Sequence, residues 1–421
     1  MTEDILFTYQ PSRLDEPTSM DLGKIHPSFR IFFGQNREAS EKYVSDLHKR
    51  KQWFEEHGFH LSALTCMDGR VLDYGNAIGM LVGLLELFRS AGSRYSLRNF
   101  MYVQRTLESL LRASAIHIDG KVYDLAEMRF VTAHHSVSHP ATASCAAWEH
   151  QTHAALAAMQ EHAHELNFCW KGRMVALPTL IDTDLDAITL FGPGPAFSVS
   201  QLVKDVGLDA PPDVGSIIDA LRKTFPMDWP PLASLTPRHR DAFHPELAER
   251  VVANLAFVRN VIASNRPLEL LEHGERMIFV GRHADWIDEH NSVFIIDDTQ
   301  ERRHVLKSFR IAIPYVAKNV IADAVAAEDH DWILPVVVNV PYNEPDDDRL
   351  VSVQYARYLV EDLKDAIRQD MASMFGLFGP HSIGTGTLPK WMLAQVTGIV
   401  DRIRIVMSVS RRKTRLFEPF T

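Results

Sequence analysis

The chain has 421 residues, of which 46% are hydrophobic and 23% are charged, as is usual for a globular protein with a sizeable core. Its net charge of −10 argues against a nucleic-acid partner, because such binding depends on basic surfaces that neutralise phosphates. No apolar run reaches the roughly 20 residues that a bilayer requires, and the first residues lack the basic start of a signal peptide. Three cysteines are too few for a disulfide framework, so we expect a cytoplasmic protein.

The first third of the chain contains two predicted strands that lead into polar residues. In chain order the pattern predicts an irregular arm, a charged helix, a strand, two apolar helices and a second strand, over residues 1–35, 38–56, 59–66, 76–89, 99–115 and 128–133. The first strand leads into Asp68 and the second into His134. Reactive side chains at the carboxyl ends of strands are typical of an α/β sheet.

The remainder of the chain also alternates between helices and strands. The pattern predicts a helix, a strand pair, proline-rich loops with short helices, a second helix, three strands and a last helix, over residues 146–166, 174–191, 205–245, 245–264, 277–281, 292–297, 333–340 and 351–375. The basic run near residue 411 is interpreted as a solvated tail or helix end. We therefore expect an α/β (α+β) protein.

Cys66, His134 and Cys145 are the candidate ligands of a zinc ion. Zinc takes thiolate and imidazole ligands in a tetrahedral shell, and a catalytic site keeps one position for water. The three residues are far apart in the sequence, so the ligands would come from two strand ends and one helix start. Cys145 precedes the helix predicted from residue 146, and a helix N-terminus favours a thiolate.

Asp68 and Arg70 are the candidate catalytic residues. They are two positions apart, so in an extended segment they share a face and can pair. A guanidinium keeps a neighbouring aspartate ionised by lowering its pKa. Such an aspartate can orient a water or hydroxide on zinc, whose bound water has a pKa of about 7.

Each of these residues also has a structural interpretation. Buried cysteines in cytosolic proteins are usually packing residues, and an Asp-x-Arg pair is usually a surface ion pair. On spacing alone, His135 and His139 are alternatives to His134 as the third ligand. Cys169 is interpreted as a packing residue.

Three segments resemble the β-class carbonic anhydrases. Residues 66–70 resemble the Cys-x-Asp-x-Arg motif of that family, and residues 89–92 are similar to its Arg-Asn-Ala-Gly motif. Residues 131–134 stand where the family has a strand that ends in Gly-His. All three segments occur in the order that the family shows, and the last of them favours His134 as the ligand.

The spacing between the last two candidate ligands resembles one divergent branch, the carboxysome shell carbonic anhydrase. Most members of the family place the second cysteine three residues after the histidine, whereas Cys145 follows His134 by eleven positions. Residues 181–188, and residues 335–338 with the tyrosine-rich helix that follows, also look like that branch.

The resemblance implies a fold, a ligand set and a reaction. It implies a β-carbonic-anhydrase-like central sheet flanked by helices in residues 58–285, a degenerate copy in residues 286–421 that forms an intrachain pseudo-dimer, and a short helical arm in residues 1–57. Cys66, His134 and Cys145 would hold Zn²⁺, Asp68 would orient the zinc-bound hydroxide, and Arg70 would fix Asp68. The reaction would be the reversible hydration of carbon dioxide to bicarbonate and a proton.

The resemblance also carries expectations about assembly. It implies a homodimer or a larger homo-oligomer. The long N-terminal extension that docks carboxysomal members to their cargo is missing or much shortened here, so association with a carboxysome or with Rubisco stays open. Two alternative functions remain: a non-catalytic scaffold stabilised by zinc, and a zinc hydrolase of carbon disulfide or carbonyl sulfide.

Overall fold

The computed structural model describes most of the chain between residues 52 and 411. The described residues are 52–53, 56–68, 71, 77–80, 85–95, 116–118, 121–123, 125–264, 275–281, 292–296, 302–342, 347–369 and 402–411. The arm predicted over residues 1–35, the helix over 99–115 and nearly all of the helix over 38–56 lie outside them. The chain divides into two compact units: an N-terminal unit with almost all described residues up to Ser264, and a C-terminal unit from Glu275 onwards.

The N-terminal unit is built on a six-stranded mixed sheet. In sheet order its strands are β2 (Leu85–Ser90), β1 (Phe59–Cys66), β5 (Ala126–His135), β6 (Met174–Asp182), β7 (Ala187–Leu190) and β8 (Phe197–Ser198). The first four are parallel, and β7 and β8 run antiparallel to their neighbours. A separate antiparallel pair consists of β3 (Ile116–Ile118) and β4 (Lys121–Tyr123). Because parallel strands end at the same edge, the residues that end or follow β1, β5 and β6 come together there.

The strands β1, β5, β6 and β7 confirm the predictions from the sequence. Every residue of β1 except His60 is buried, as is typical of a parallel strand covered on both faces. β5 is longer than predicted, because Ala126 and Glu127 already pair with the start of β1. β6 and β7 form the pair predicted over residues 174–191.

The helix predicted over residues 76–89 is wrong in its second half. Residues 85–90 form the strand β2, which pairs in parallel with β1 from Leu61 to Cys66. A continuous apolar run does not distinguish a buried strand from a buried helix by periodicity alone. Here the run forms a strand because the edge of β1 supplies hydrogen-bond partners along its whole length.

Helices flank the N-terminal sheet. They are α1 (Pro140–Ala143), α2 (Thr152–Cys169), α3 (Val199–Val206), α4 (Val214–Thr224), α5 (Pro230–Ala233) and α6 (Pro237–Ala263). α2 packs on β5 and β6, and the Asn167 amide exchanges two hydrogen bonds of 3.0 and 2.8 Å with the Ala176 backbone. α6 begins at Pro237 and not at Pro245 as predicted. Thr236 caps its first turn, and the helix continues through Pro245 because buried residues on both sides of it join the apolar core.

The C-terminal unit has a four-stranded parallel sheet. In sheet order its strands are β10 (Ser292–Ile296), β9 (Met277–Gly281), β11 (Leu334–Tyr342) and β12 (Ile403–Arg411), and the two helices packed on them are α7 (Arg302–Ala327) and α8 (Asp347–Gln369). The strands β9, β10 and β11 confirm the predictions, and α8 begins at Asp347 and not at residue 351. Neither α7 nor β12 was predicted. The basic end of the chain was interpreted as a tail or helix end, whereas Arg411 ends a strand that pairs with β11.

The protein is therefore an α/β protein whose larger sheet is mixed and flanked by helices. The four strands of the C-terminal sheet have the order second, first, third, fourth, and the four parallel strands of the N-terminal sheet have the same order. Among the described helices, none combines the length and the apolar character that crossing a membrane requires.

Candidate metal centre

Two neighbouring strands bring Cys66 and His134 to the same edge of the N-terminal sheet. Cys66 is the last residue of β1, and His134 is the next-to-last residue of the adjacent parallel strand β5. Cys145 returns to this edge after a loop that contains α1. All three side chains are almost fully buried, with exposed fractions of 4%, 1% and 4%. The structure thus joins three residues that are far apart in the sequence.

The ligand atoms of these residues are spaced for one metal ion. The sulfur atoms of Cys66 and Cys145 are 3.9 Å apart, and the Sγ atoms and the nearest His134 ring nitrogen all lie within 4.8 Å of one another. Two thiolates on a tetrahedral zinc with Zn–S bonds of about 2.3 Å would be separated by roughly 3.8 Å. The observed sulfur separation therefore fits a shared metal ion.

The imidazole of His134 supplies a second reason to expect a cation. Both of its ring nitrogens are buried, and neither makes a hydrogen bond to any residue that the structure describes. A buried polar atom without a partner costs about 1–3 kcal/mol. A metal ion bound by one nitrogen would remove part of that cost. The donor set of two sulfurs and one nitrogen is one that zinc prefers.

The two thiols form a hydrogen-bonded pair with opposite pKa shifts. The hydrogen bond from Cys145 holds the pKa of Cys66 well below its usual value, although burial acts in the other direction. The same hydrogen bond, together with burial, raises the pKa of Cys145 well above its usual value. The hydrogen bond between the two sulfurs therefore couples the titration of one thiol to that of the other.

A buried arginine holds the turn that follows Cys66. Arg89 in β2 donates from Nε and Nη2 to the Cys66 carbonyl oxygen, at 3.1 and 3.0 Å, and from Nη2 to the Asp68 carbonyl oxygen at 2.9 Å. Its side chain is only 1% exposed, so these hydrogen bonds are shielded from water. This role was missed at the sequence level. The available signal was a single cation within an apolar run, directly before the Ser-Ala-Gly turn.

Asp68 lies beside the three candidate ligands. Its Oδ2 atom is 3.6 Å from His134 Nε2, and its side chain is 9% exposed. It is not a member of the group whose ligand atoms lie within 4.8 Å of one another. Arg70 lies outside the described residues, so its pairing with Asp68 stays a prediction.

Of the three histidines considered as ligands, His134 is the one placed with the cysteines. His135 is partly buried, which lowers the pKa of its imidazole, and its carbonyl oxygen accepts hydrogen bonds from Thr183. His139 is exposed before α1, and its Nδ1 is 2.8 Å from the Ser138 hydroxyl. Neither belongs to the metal-binding group.

Acidic residues at the end of β6 and just after it hold the loop between His134 and Cys145. Asp184 accepts hydrogen bonds of 2.6 Å from the Ser136 hydroxyl and the Ser138 backbone N–H. Asp182 accepts one from the Asp184 backbone N–H at 3.1 Å, and burial raises the pKa of Asp182 to about 6. The acidic segment singled out from the sequence thus holds the long step between two ligands in place.

The surroundings of the other two cysteines differ from the predictions. The helix expected directly after Cys145 begins only at Thr152, and a 3₁₀ turn at Ala146–Trp148 stands between them. The hydrogen bond with Cys66 and burial raise the pKa of Cys145, and Ala147 in that turn opposes them without outweighing them, so the turn does not favour a thiolate as the helix N-terminus was expected to do. Cys169, interpreted as a packing residue, is exposed at the end of α2.

A second group of possible ligands consists of His57, Glu246 and Glu249. Glu246 already pairs with His57 and accepts a hydrogen bond of 2.9 Å from the Gly58 backbone N–H. Glu249 is exposed and pairs with Arg250 at 2.7 Å. Through these contacts the group ties the start of β1 to α6.

Comparison of the chain with models of known protein families finds no match. Comparison with curated proteins likewise finds none.

Proposed function

We propose that the chain is a zinc-dependent carbonic anhydrase, which hydrates carbon dioxide reversibly to bicarbonate and a proton. One observation carries the proposal: the buried group of Cys66, His134 and Cys145 has a sulfur separation of 3.9 Å and a histidine without hydrogen bonds. Three segments, Cys-x-Asp-x-Arg, Arg-Ser-Ala-Gly and a strand that ends in His134, follow one another in the order that the β-class carbonic anhydrases show. Their resemblance to that family supports the same reaction.

The residues at this edge have distinct roles in the proposed reaction. Cys66, His134 and Cys145 would hold the zinc ion. When bound, zinc lowers the pKa of a coordinated water to about 7 and so supplies a nucleophile at neutral pH. Asp68, beside His134, would accept a hydrogen bond from that nucleophile and orient it toward carbon dioxide. Arg89 fixes the backbone on both sides of this aspartate, which preorganises the carboxylate.

Burial of the site favours this chemistry. Two thiolates and a carboxylate attract a divalent cation more strongly in a low-dielectric interior than at a surface. The low exposure of Cys66, Cys145 and His134 provides such surroundings. A structural zinc site has no need of an orienting carboxylate, so the position of Asp68 favours the enzyme over the scaffold.

We propose further that the C-terminal unit is a degenerate copy of the N-terminal one. The common strand order of their parallel sheets supports this interpretation. The chain has no cysteine after Cys169, so a copy could not rebuild a site with two thiolates.

Metal analysis combined with stopped-flow hydration of carbon dioxide tests the proposal. We expect one zinc per chain and hydration between about pH 7 and 9, the range set by the acidified water. Asp68→Asn should retain zinc and lose about 100-fold or more of the hydration rate, because it removes the negative acceptor. Asp213→Asn is the matched control: Asp213 is exposed, caps α4 and should affect neither quantity.

Other outcomes point to the alternatives. Zinc binding by the wild-type protein without hydration throughout that pH range would exclude the carbonic anhydrase. Turnover of carbon disulfide or carbonyl sulfide by the same protein would then support the sulfur hydrolase. Inactivity on all three substrates, with a large loss of thermal stability on zinc removal, would support the scaffold.

A further inference from the structure

Two short turns lie beside the candidate ligands, and each holds one of the two cysteines. In the turn Ala91–Ser93, the Gly92 N–H donates to Cys66 Sγ at 3.2 Å. In the turn Ala146–Trp148, the Trp148 N–H donates to the Cys145 carbonyl oxygen at 3.1 Å. Each cysteine is thus held by a residue from a different turn.

Side chains from each turn hold the backbone of the other. The Trp148 indole Nε1 donates to the Gly92 carbonyl oxygen at 2.9 Å, and Arg94 Nη2 donates to the Ala147 carbonyl oxygen at 3.1 Å. The turn that contacts Cys66 and the turn that contacts Cys145 are therefore linked to each other by two hydrogen bonds in opposite directions. The Arg94 guanidinium also lies over the Trp148 ring, 4.6 Å from its centre. The two side chains that form these hydrogen bonds are therefore in contact with each other.

Gly92 shows how tightly these turns pack. Its φ angle is +67°, a left-handed conformation that other residues rarely adopt. A Cβ atom on this residue would lie 2.5 Å from Trp148 Nε1 and 3.0 Å from Ala147 Cβ. Glycine is thus required here for both its backbone conformation and the close approach of the indole.

We propose that Arg94 and Trp148 form a cross-brace that sets the separation of the Cys66 and Cys145 sulfur atoms for metal binding. Both are positioning residues, since they act through Gly92 and Ala147. The brace holds the sulfurs near the separation that a tetrahedral ion requires before the ion arrives, so less ordering is left for the binding step. This inference rests on the metal-binding part of the proposed function and not on hydration of carbon dioxide.

Zinc affinity of conservative variants tests the brace. Trp148→Phe keeps an aromatic ring and removes the indole N–H, and Arg94→Met keeps the length of the side chain and removes the guanidinium. The zinc dissociation constant, from competition with a chromophoric chelator, should rise by roughly 10–100-fold in each, as for other residues that support metal ligands. The double variant should lose less than the two single losses combined, because both act on one unit.

Two further measurements separate positioning from general damage. Absorption of the Co²⁺-substituted protein should lose intensity or shift in both variants, because it reports ligand geometry. Trp170→Phe is the matched control, since Trp170 is buried and precedes β6, at the end of the sheet opposite to the site. It should keep wild-type zinc affinity and Co²⁺ absorption. The unfolding midpoint of each metal-free variant shows that the protein is folded.

The possible results are distinct. Wild-type zinc affinity and Co²⁺ absorption in folded Trp148→Phe and Arg94→Met proteins would overturn the brace. An equal loss of affinity in Trp170→Phe would overturn it as well. A wild-type protein that binds no zinc would overturn both the brace and the proposed function, whereas zinc binding without hydration would overturn only the latter.

Discussion

The two sheets of the protein share a strand order and differ at the edge where their parallel strands end. In each sheet the first strand lies between the second and the third, and the fourth pairs with the third. In the N-terminal sheet, the first strand ends at Cys66 and the third ends beside His134. In the C-terminal sheet, the corresponding strands end at Gly281 and Tyr342. All cysteines of the chain precede the second sheet.

This difference separates what topology supplies from what individual residues supply. The parallel order brings strand ends together in both units, so convergence alone does not make a metal site. In the N-terminal unit the strand ends carry the Cys66 sulfur and the His134 imidazole, and the loop after β5 brings back the Cys145 sulfur. Arg89, Asp184 and Trp148 hold the connecting backbone. We therefore expect a metal ion at this edge and not at the other.

The largest expected effect is the loss of zinc on replacement of a cysteine ligand. Cys145→Ser should weaken zinc binding by more than the roughly 100-fold that removal of a residue supporting a ligand costs. The wild-type protein should bind one zinc per chain, because only one edge carries thiolates. Mass spectrometry of the metal content after dialysis measures both quantities. Cys169→Ser is the control and should keep one zinc, since Cys169 is exposed on α2. Two zinc ions per wild-type chain would contradict the claim that only the N-terminal edge binds zinc.

The next effect concerns the acidic segment at the N-terminal edge. Burial raises the pKa of Asp182 to about 6 from an ordinary value of 3.8. The folded state then binds this proton more tightly than the unfolded state, so stability falls as pH rises from about 4 to 6 and stays lower above it. Asp182→Asn should remove that loss and stabilise the protein above pH 6 by up to about 3 kcal/mol. Chemical denaturation at about pH 5 and pH 8 measures it.

Asp184→Asn is the control, because we expect it to change the unfolding free energy in the opposite direction. Burial acts to raise its pKa, but hydrogen bonds from Ser136 and Ser138 hold the pKa below its usual value. Its contribution to stability is therefore present at neutral pH and is lost as pH falls through the folded-state pKa. Asp184→Asn should destabilise the protein at pH 8. Equal changes of the same sign in the unfolding free energies of both variants would contradict the opposite pKa shifts of Asp182 and Asp184.

A smaller effect compares one buried asparagine in each unit. Asn254 in α6 donates to the carbonyl oxygens of Ala77 and Asp186, at 3.0 and 2.8 Å, and accepts from the Ile188 N–H at 3.0 Å. Asn319 in α7 is partly buried and donates to the Glu275 carbonyl oxygen at 2.9 Å.

The burial of each amide sets the expected costs, because a backbone group left without its partner costs more where water cannot replace that partner. Asn254→Ala should cost about 3 kcal/mol and Asn319→Ala about 1 kcal/mol of unfolding free energy. Urea denaturation, followed by a probe in each unit, measures both. Equal costs would show that the fully buried amide is no more important than the partly buried one.

Much of the sheet and the core of the site could be predicted from the sequence. Buried parallel strands have long apolar runs, so β1, β5 and β11 were recognisable, and polar residues at their ends suggested the site. The strand β2 was mistaken for a helix because its run is apolar without a clear period. In α7, Pro314 interrupts the helical pattern, and in β12 the basic end of the chain obscured the strand.

The contacts that position the ligands could not be predicted in the same way. Arg89 reaches the carbonyl oxygen of Cys66 only because β2 pairs with β1, and Trp148 reaches Gly92 only because the loop from β5 folds back. Such hydrogen bonds depend on which segments become neighbours in space. A single sequence carries the residue types, while the fold supplies the partners.

The loop between His134 and Cys145 has a consequence for how such sites are recognised. Asp184 anchors its first half through Ser136 and Ser138, and residues 139–141 beyond this anchor are exposed. Additional residues in such an exposed segment add little to the entropy of closing the loop, since that cost grows only with the logarithm of length. The distance between two ligands along the chain is therefore free to drift while the geometry of the centre is kept. A search pattern with a fixed histidine-to-cysteine interval would overlook this protein, whereas one built on converging strand ends would include it.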